Sequence, residues 1–187
     1  ITNLNSSTVE VYHTAVDPEN PVKVAEFGAG ELNMPNGLAF NPGGIFLYVS
    51  NAGDSTIEIY NTLDPEDPQR VDQFGGLAEI SHPIGMTTFI DTLYVANFDG
   101  VNGNTISVYD LTEPDDPQFV GRFGSGFLSG PTEMTIVVDL MYVVNENANS
   151  VSVYDLSSDR RNPVYLNTFT NSLDEPFGVF PVFPFAP

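Results

Sequence analysis

The chain has no cysteine and no tryptophan, and only two histidines and five basic residues among 187. Without cysteine there is no disulfide, no thiol nucleophile and no thiolate zinc site. The basic residues are Lys23, Arg70, Arg122, Arg160 and Arg161. They face 25 Asp and Glu, for a net charge of −20. Such a charge repels phosphate, which argues against nucleic acid and anionic membranes as partners. No run approaches about 18 apolar residues, so membrane insertion by a helix is not expected. No stretch carries helical periodicity long enough to make a helix. The acidic surplus has three readings that composition leaves open: solubility, adaptation to high salt, and carboxylates that bind divalent cations. The chain opens in mid-pattern at Ile1, as a processed product or a piece of a larger protein would.

What the chain does have is a repeat. Alternating runs end at Tyr12, Tyr60, Tyr109 and Tyr154, spaced 48, 49 and 45 residues apart. Asn3, Asn51, Asn97 and Asn145 precede those runs, and Pro21, Pro68, Pro117 and Pro163 follow them. Phe27, Phe74, Phe123 and Phe169 keep the same beat, as do Pro35, Pro83, Pro131 and Pro176. A fixed period of this length in strand-rich sequence marks a propeller or solenoid.

One unit predicts four strands. Asn36–Phe40 is short and apolar, and Asn41–Gly44 is a turn. Ile45–Ser50 is a continuous apolar strand, followed by the Asn51–Asp54 turn. Ser55–Tyr60 alternates, Asp64–Pro68 is a loop, and Arg70–Phe74 is the outermost strand. The expected fold is therefore all-β: a four-bladed β-propeller of four-stranded antiparallel blades. Blade 2 spans residues 35–76, blade 3 residues 83–126 and blade 4 residues 131–171. Blade 1 combines residues 1–30 with the C-terminal stretch 176–180, because Pro176-Phe-Gly-Val-Phe180 aligns with Pro35-Asn-Gly-Leu-Ala39. Pairing of N- and C-terminal strands in that blade closes the ring. The alternatives are a trimmed piece of a larger ring, against which the strand clasp argues, and two chains sharing one eight-bladed ring. Residues 181–187 form an apolar tail in which Phe183 and Phe185 either pack over the channel mouth or dock on a partner.

The unit resembles the YVTN and LVIVD families of propeller repeats. Leu47-Tyr-Val-Ser-Asn51, Leu93-Tyr-Val-Ala-Asn97 and Met141-Tyr-Val-Val-Asn145 are similar to the signature strand of the first. Val108-Tyr-Asp-Leu-Thr-Glu-Pro-Asp-Asp-Pro117 resembles the strand and Asp-Pro loop of the second. The fourth unit departs, with Ser157-Ser-Asp-Arg-Arg-Asn-Pro163 in place of the acidic loop. The resemblance implies a secreted or cell-surface protein of bacteria or archaea.

Few residues suggest chemistry. Asp99, Asn102 and Asn104 lie on a Gly-bent insertion whose oxygens suit Ca2+; turn chemistry alone is the competing reading. Glu133 stands where the other inner strands carry Gly37, Gly85 and Gly178, which places a carboxylate at the channel. His13 and His82 occupy non-equivalent repeat positions and give no catalytic arrangement. The expected function is a non-enzymatic binding or assembly module with a protein or glycan partner, or with itself. The alternative is a metal-dependent hydrolase of the lactonase or gluconolactonase kind with its site at the channel mouth.

Overall fold

The computed structural model describes the chain except Val16, Asn171, Ser172 and residues 180–187. Each unit begins with a proline that opens the innermost strand, a position where its missing N–H costs no ladder bond. The residue before that proline has positive φ every time: Met34 (53°), His82 (46°), Gly130 (59°) and Glu175 (43°). This sharp left-handed step turns the chain inward at the start of each unit.

The first sheet orders β1 (Thr2–Asn3), β2 (Thr8–His13) and β3 (Val22–Phe27). The second orders β4 (Pro35–Phe40), β5 (Phe46–Asn51), β6 (Thr56–Asn61) and β7 (Gln69–Gly75). The third holds β8 (Pro83–Phe89), β9 (Thr92–Asn97), β10 (Thr105–Asp110) and β11 (Gln118–Phe123). The fourth holds β12 (Pro131–Val137), β13 (Leu140–Asn145), β14 (Ser150–Asp155) and β15 (Val164–Phe169). All pairs are antiparallel. The chain is thus all-β, with four propeller blades running from buried inner strands to exposed outer ones. Strand boundaries in blade 2 agree with the sequence reading to within about two residues.

The register shifts at the same place in every blade: between Val11 and Tyr12, Ile59 and Tyr60, Val108 and Tyr109, and Val153 and Tyr154. In each case the extra residue lies on the outermost strand, Val24, Val71, Val120 and Leu166, so the bulge bends the exposed edge. The third strand pairs with the second without a shift, and its alternation places Tyr60, Tyr109 and Tyr154 on the face that meets the preceding blade.

Three hydrophobic clusters form the core, one at each junction between successive blades. Val9, Leu32, Leu47, Val49 and Tyr60 join blades 1 and 2. Tyr48, Ile57, Ile59, Leu93, Val95 and Tyr109 join blades 2 and 3. Tyr94, Ile106, Val108, Met141, Val143 and Tyr154 join blades 3 and 4. Among the described residues no such cluster joins blade 4 to blade 1. The first blade also differs from expectation. It has three paired strands, and Pro176–Val179, expected to supply its fourth, carries no strand assignment. Phe180 lies outside the described residues.

Candidate functional site

The inner strands approach one another through their glycines. A Cβ on Gly37 would overlap the Ile84 carbonyl oxygen, and a Cβ on Gly85 would overlap that of Thr132. Glu133 breaks this series. Its carboxylate lies over Gly85, whose absent Cβ would stand 2.9 Å from Glu133 Oε2. The side chain is half-buried, and desolvation pushes its pKa up, partly offset by the Met134 backbone N–H. The site is therefore one carboxylate whose pKa burial raises, on the innermost strand of blade 4.

The insertion Asp99–Asn104 places its three oxygen-bearing residues on different partners. Asp99 Oδ1 meets His82 Nδ1 at 2.8 Å. Asn102 Nδ2 donates to the Leu77 carbonyl at 2.7 Å, and the Asn102 carbonyl accepts from Thr105 Oγ1 at 2.5 Å. Asn104 Oδ1 accepts the Gly130 N–H at 2.7 Å. Among the described residues no group of three or more His, Asp and Glu is placed to hold a metal.

The bond to Gly130 belongs to a series that sequence reasoning missed. The residue before each alternating strand has positive φ: Ser7, Ser55, Asn104 and Asn149. At the last three of these, the side chain accepts the N–H of the residue that precedes the next unit's proline. Ser55 takes His82 N–H, Asn104 takes Gly130 N–H, and Asn149 takes Glu175 N–H at 2.7 Å. The repeat of Ser or Asn before Thr or Ser was the available signal.

The asparagines that end the second strand of each blade are a further set of connectors. Asn51, Asn97 and Asn145 are fully buried. Their Oδ1 atoms accept the N–H of Asn33, Ser81 and Ser129, fixing the incoming loop. Their amides donate to strand hydroxyls, as Asn97 does to Thr105 at 3.1 Å and Ser107 at 2.8 Å. These residues act as buried latches, and their oxygens are already used.

Blade junctions also share aromatic contacts. Phe27 meets Tyr60 at 4.6 Å, Phe74 meets Tyr109 at 4.8 Å, and Phe123 meets Tyr154 at 4.9 Å. Tyr48 and Tyr94 each send their hydroxyl across the junction to a loop carbonyl of the next blade, Pro114 at 2.8 Å and Arg160 at 2.6 Å. The basic loop of the fourth unit earns its departure from the acidic pattern here: Arg160 pairs with Asp91 through two 2.7 Å bonds, and Arg161 with Asp110 at 2.8 Å.

The end blades carry the same groups uncovered. Tyr12 is only half-buried, and with Ile1, Glu10, Thr14 and Pro21 it lines a concavity on the outward face of blade 1. On blade 4, Tyr142 and Val153 are half-buried where their counterparts Tyr48, Tyr94, Ile59 and Val108 are buried, while Phe169 is half-buried as Phe27, Phe74 and Phe123 are. Among the described residues no aromatic contact joins Phe169 to Tyr12, and no junction hydrogen bond is made by Tyr142. Phe183 and Phe185, expected at a partner surface, lie outside the described residues.

No protein-family model and no curated protein matches the sequence. Solved structures do match it. The chain is similar to the periplasmic gluconolactonase of Pseudomonas aeruginosa, at 15% identity and a TM-score of 0.74 over 93% of this chain and 50% of that one. It is similar to a protein from Lactobacillus plantarum, at 18% identity and a TM-score of 0.72 over 92% of this chain and 51% of that one. A chain of the nidogen/laminin complex matches at 18% identity and a TM-score of 0.66, over 95% of this chain and 61% of that one. The chain spans about half to three-fifths of these structures. The likeness is one of fold, and the fold is a β-propeller.

Proposed function

We propose that this chain is a non-enzymatic binding and assembly module of the YVTN/LVIVD kind, working outside the cell or on its surface. One observation carries the reading: the groups that seal every internal blade junction recur, uncovered, on blades 1 and 4. A face built around Tyr12 and another around Tyr142 and Phe169 are preformed for contact, and apolar surface of this kind marks interaction sites. The acidic, cysteine-free composition and the likeness to a periplasmic protein are compatible with an extracytoplasmic setting.

The second reading is a lactonase, favoured by the half-buried Glu133 carboxylate and by the fold shared with a gluconolactonase. A single inner carboxylate supplies an acid or base but not the ligand set of a catalytic cation. Hydrolysis of glucono-1,5-lactone, followed with and without Ca2+, separates the two. The binding module leaves the lactone at its spontaneous rate. Ca2+-dependent turnover that Glu133→Gln abolishes would establish the hydrolase. In parallel, an apolar fluorescent dye should bind the dilute chain and bind the Tyr12→Asp variant more weakly. No dye binding contradicts the exposed-face reading.

A further inference from the structure

The two uncovered faces are not merely apolar; they are the two halves of one junction. Every internal junction takes a phenylalanine from the outermost strand of one blade and a tyrosine from the third strand of the next. Blade 4 presents Phe169 and blade 1 presents Tyr12, the same halves in the same order. A second bond type is equally half-made. Tyr48 and Tyr94 donate to the carbonyl three residues before Pro117 and Pro163, while Tyr142 has no such acceptor among the described residues. The corresponding carbonyl on blade 1 belongs to Pro18, three residues before Pro21.

The C-terminal segment repeats the pattern at the inner edge. Glu175 has the same left-handed backbone as Met34 and His82, and Asn149 holds its N–H as Asn104 holds that of Gly130. Thr132 Oγ1 donates to the Phe177 carbonyl at 2.9 Å. Asn36 and Ile84, the same residue of their Pro-x-Gly motifs, also accept a hydroxyl from the preceding blade, there from its second strand, Thr2 and Ser50. Pro176–Val179 is therefore seated where the innermost strand of a following blade belongs. Blade 1 is the blade whose described sheet has three strands, with β1 at its inner edge.

We infer that the partner of these faces is a second copy of this chain, joined head to tail. Blade 4 of each copy packs on blade 1 of the other, and Pro176–Val179 of each adds the fourth strand to the other's β1. Two such junctions close a ring of eight blades. The contact is heterologous, so it either closes or runs on into a filament. Each copy carries −20, so association strengthens with salt. This inference rests on the binding-module reading and names its partner.

Light scattering and sedimentation of the intact chain in molar NaCl, over a concentration series to hundreds of micromolar, test it. The expected mass is twice 20.3 kDa. Tyr12→Asp and Phe169→Asp should each be monomeric, with self-association weakened at least about tenfold. Mixed together they should recover a dimer, because one intact junction remains possible between them. Val120→Asp, on an exposed outer strand, should dimerise like the parent. Tyr142→Phe removes only a hydroxyl, keeps the fold, and should weaken the dimer about severalfold. A monomer throughout, a ladder of ever larger species, a mixture of separately folded variants that stays monomeric, or a Tyr142→Phe dimer of unchanged affinity would each overturn the inference. A monomer without lactone turnover overturns only the self-pairing; turnover overturns the binding-module reading whatever the mass.

Discussion

Tyr60, Tyr109 and Tyr154 occupy one position of the repeat and are equally buried, yet their hydroxyls fare differently. Tyr60 donates to Glu31 and Tyr109 to Glu79, whereas Tyr154 has no partner among the described residues. Phe127 stands where the first two units carry those glutamates, and it stacks on Tyr165 at 4.1 Å. A buried hydroxyl without a partner costs on the order of 1–3 kcal/mol, while a satisfied one contributes about 1 kcal/mol. Tyr154→Phe should therefore leave urea stability unchanged or raise it, and Tyr60→Phe and Tyr109→Phe should each lower it by about 1 kcal/mol. Equal losses in all three would contradict the assignment. Asn97→Ala strips a buried acceptor from Ser81 N–H and donors from two hydroxyls, so it should cost more than about 2 kcal/mol in the same titration. None of these differences was legible from the repeat alone. The period identifies equivalent positions, but only the fold brings Phe127 to the place of a glutamate.

At the scale of the element, strands and turns were nearly all readable. Alternation, the Asn-Pro-Gly-Gly turn and the recurring prolines locate every four-stranded blade, since they set local backbone geometry directly. Loops that bridge blades were not. Turn residues and oxygen ligands share one alphabet, so the sequence around Asn104 did not reveal its bond to Gly130, which depends on a neighbour 26 residues away. The basic loop of the fourth unit likewise has its explanation in Asp91, 69 residues away. Arg160 holds the Asp91 carboxyl down at about 2, from an ordinary 3.8. A depressed folded pKa stabilises at pH above the unfolded value and loses that contribution as pH falls toward 2. Asp91→Asn should flatten the acid limb of a stability–pH curve between about 4 and 2. On the inner strand of blade 4, Glu133 works in the opposite sense. Burial raises its pKa above 4.5, so the folded state loses stability as pH rises through the raised value. Glu133→Gln should be more stable than the parent at neutral pH and should not show that decline. Coincident curves for parent and variant would place Glu133 in solvent.

For the whole molecule, charge and closure decide behaviour. Self-repulsion at −20 opposes compaction, and salt screens it over a Debye length of about 10 Å at 0.1 M. The melting temperature should rise from low to molar NaCl; a flat curve would mean that the carboxylates are spread too widely to repel. The sequence pattern made the number of blades legible, four, but not how the ends meet. Alignment of Pro176–Phe180 with the inner strands predicts an inner strand there, whereas Pro176–Val179 carries no strand assignment and Phe180 lies outside the described residues. Which copy's β1 it serves depends on the path of the chain, which no local pattern encodes. The central claim, that blades 1 and 4 keep junction faces uncovered in the single chain, is tested most directly by nitrating the eight tyrosines of dilute protein at low salt, where light scattering gives the mass of one chain, and reading each site by peptide mass spectrometry. Tyr12, Tyr142 and Tyr165 should react, and Tyr48, Tyr60, Tyr94, Tyr109 and Tyr154 should be protected. Protection of Tyr12 and Tyr142 equal to that of the five buried tyrosines would mean that the single chain already covers both faces, and would contradict the account.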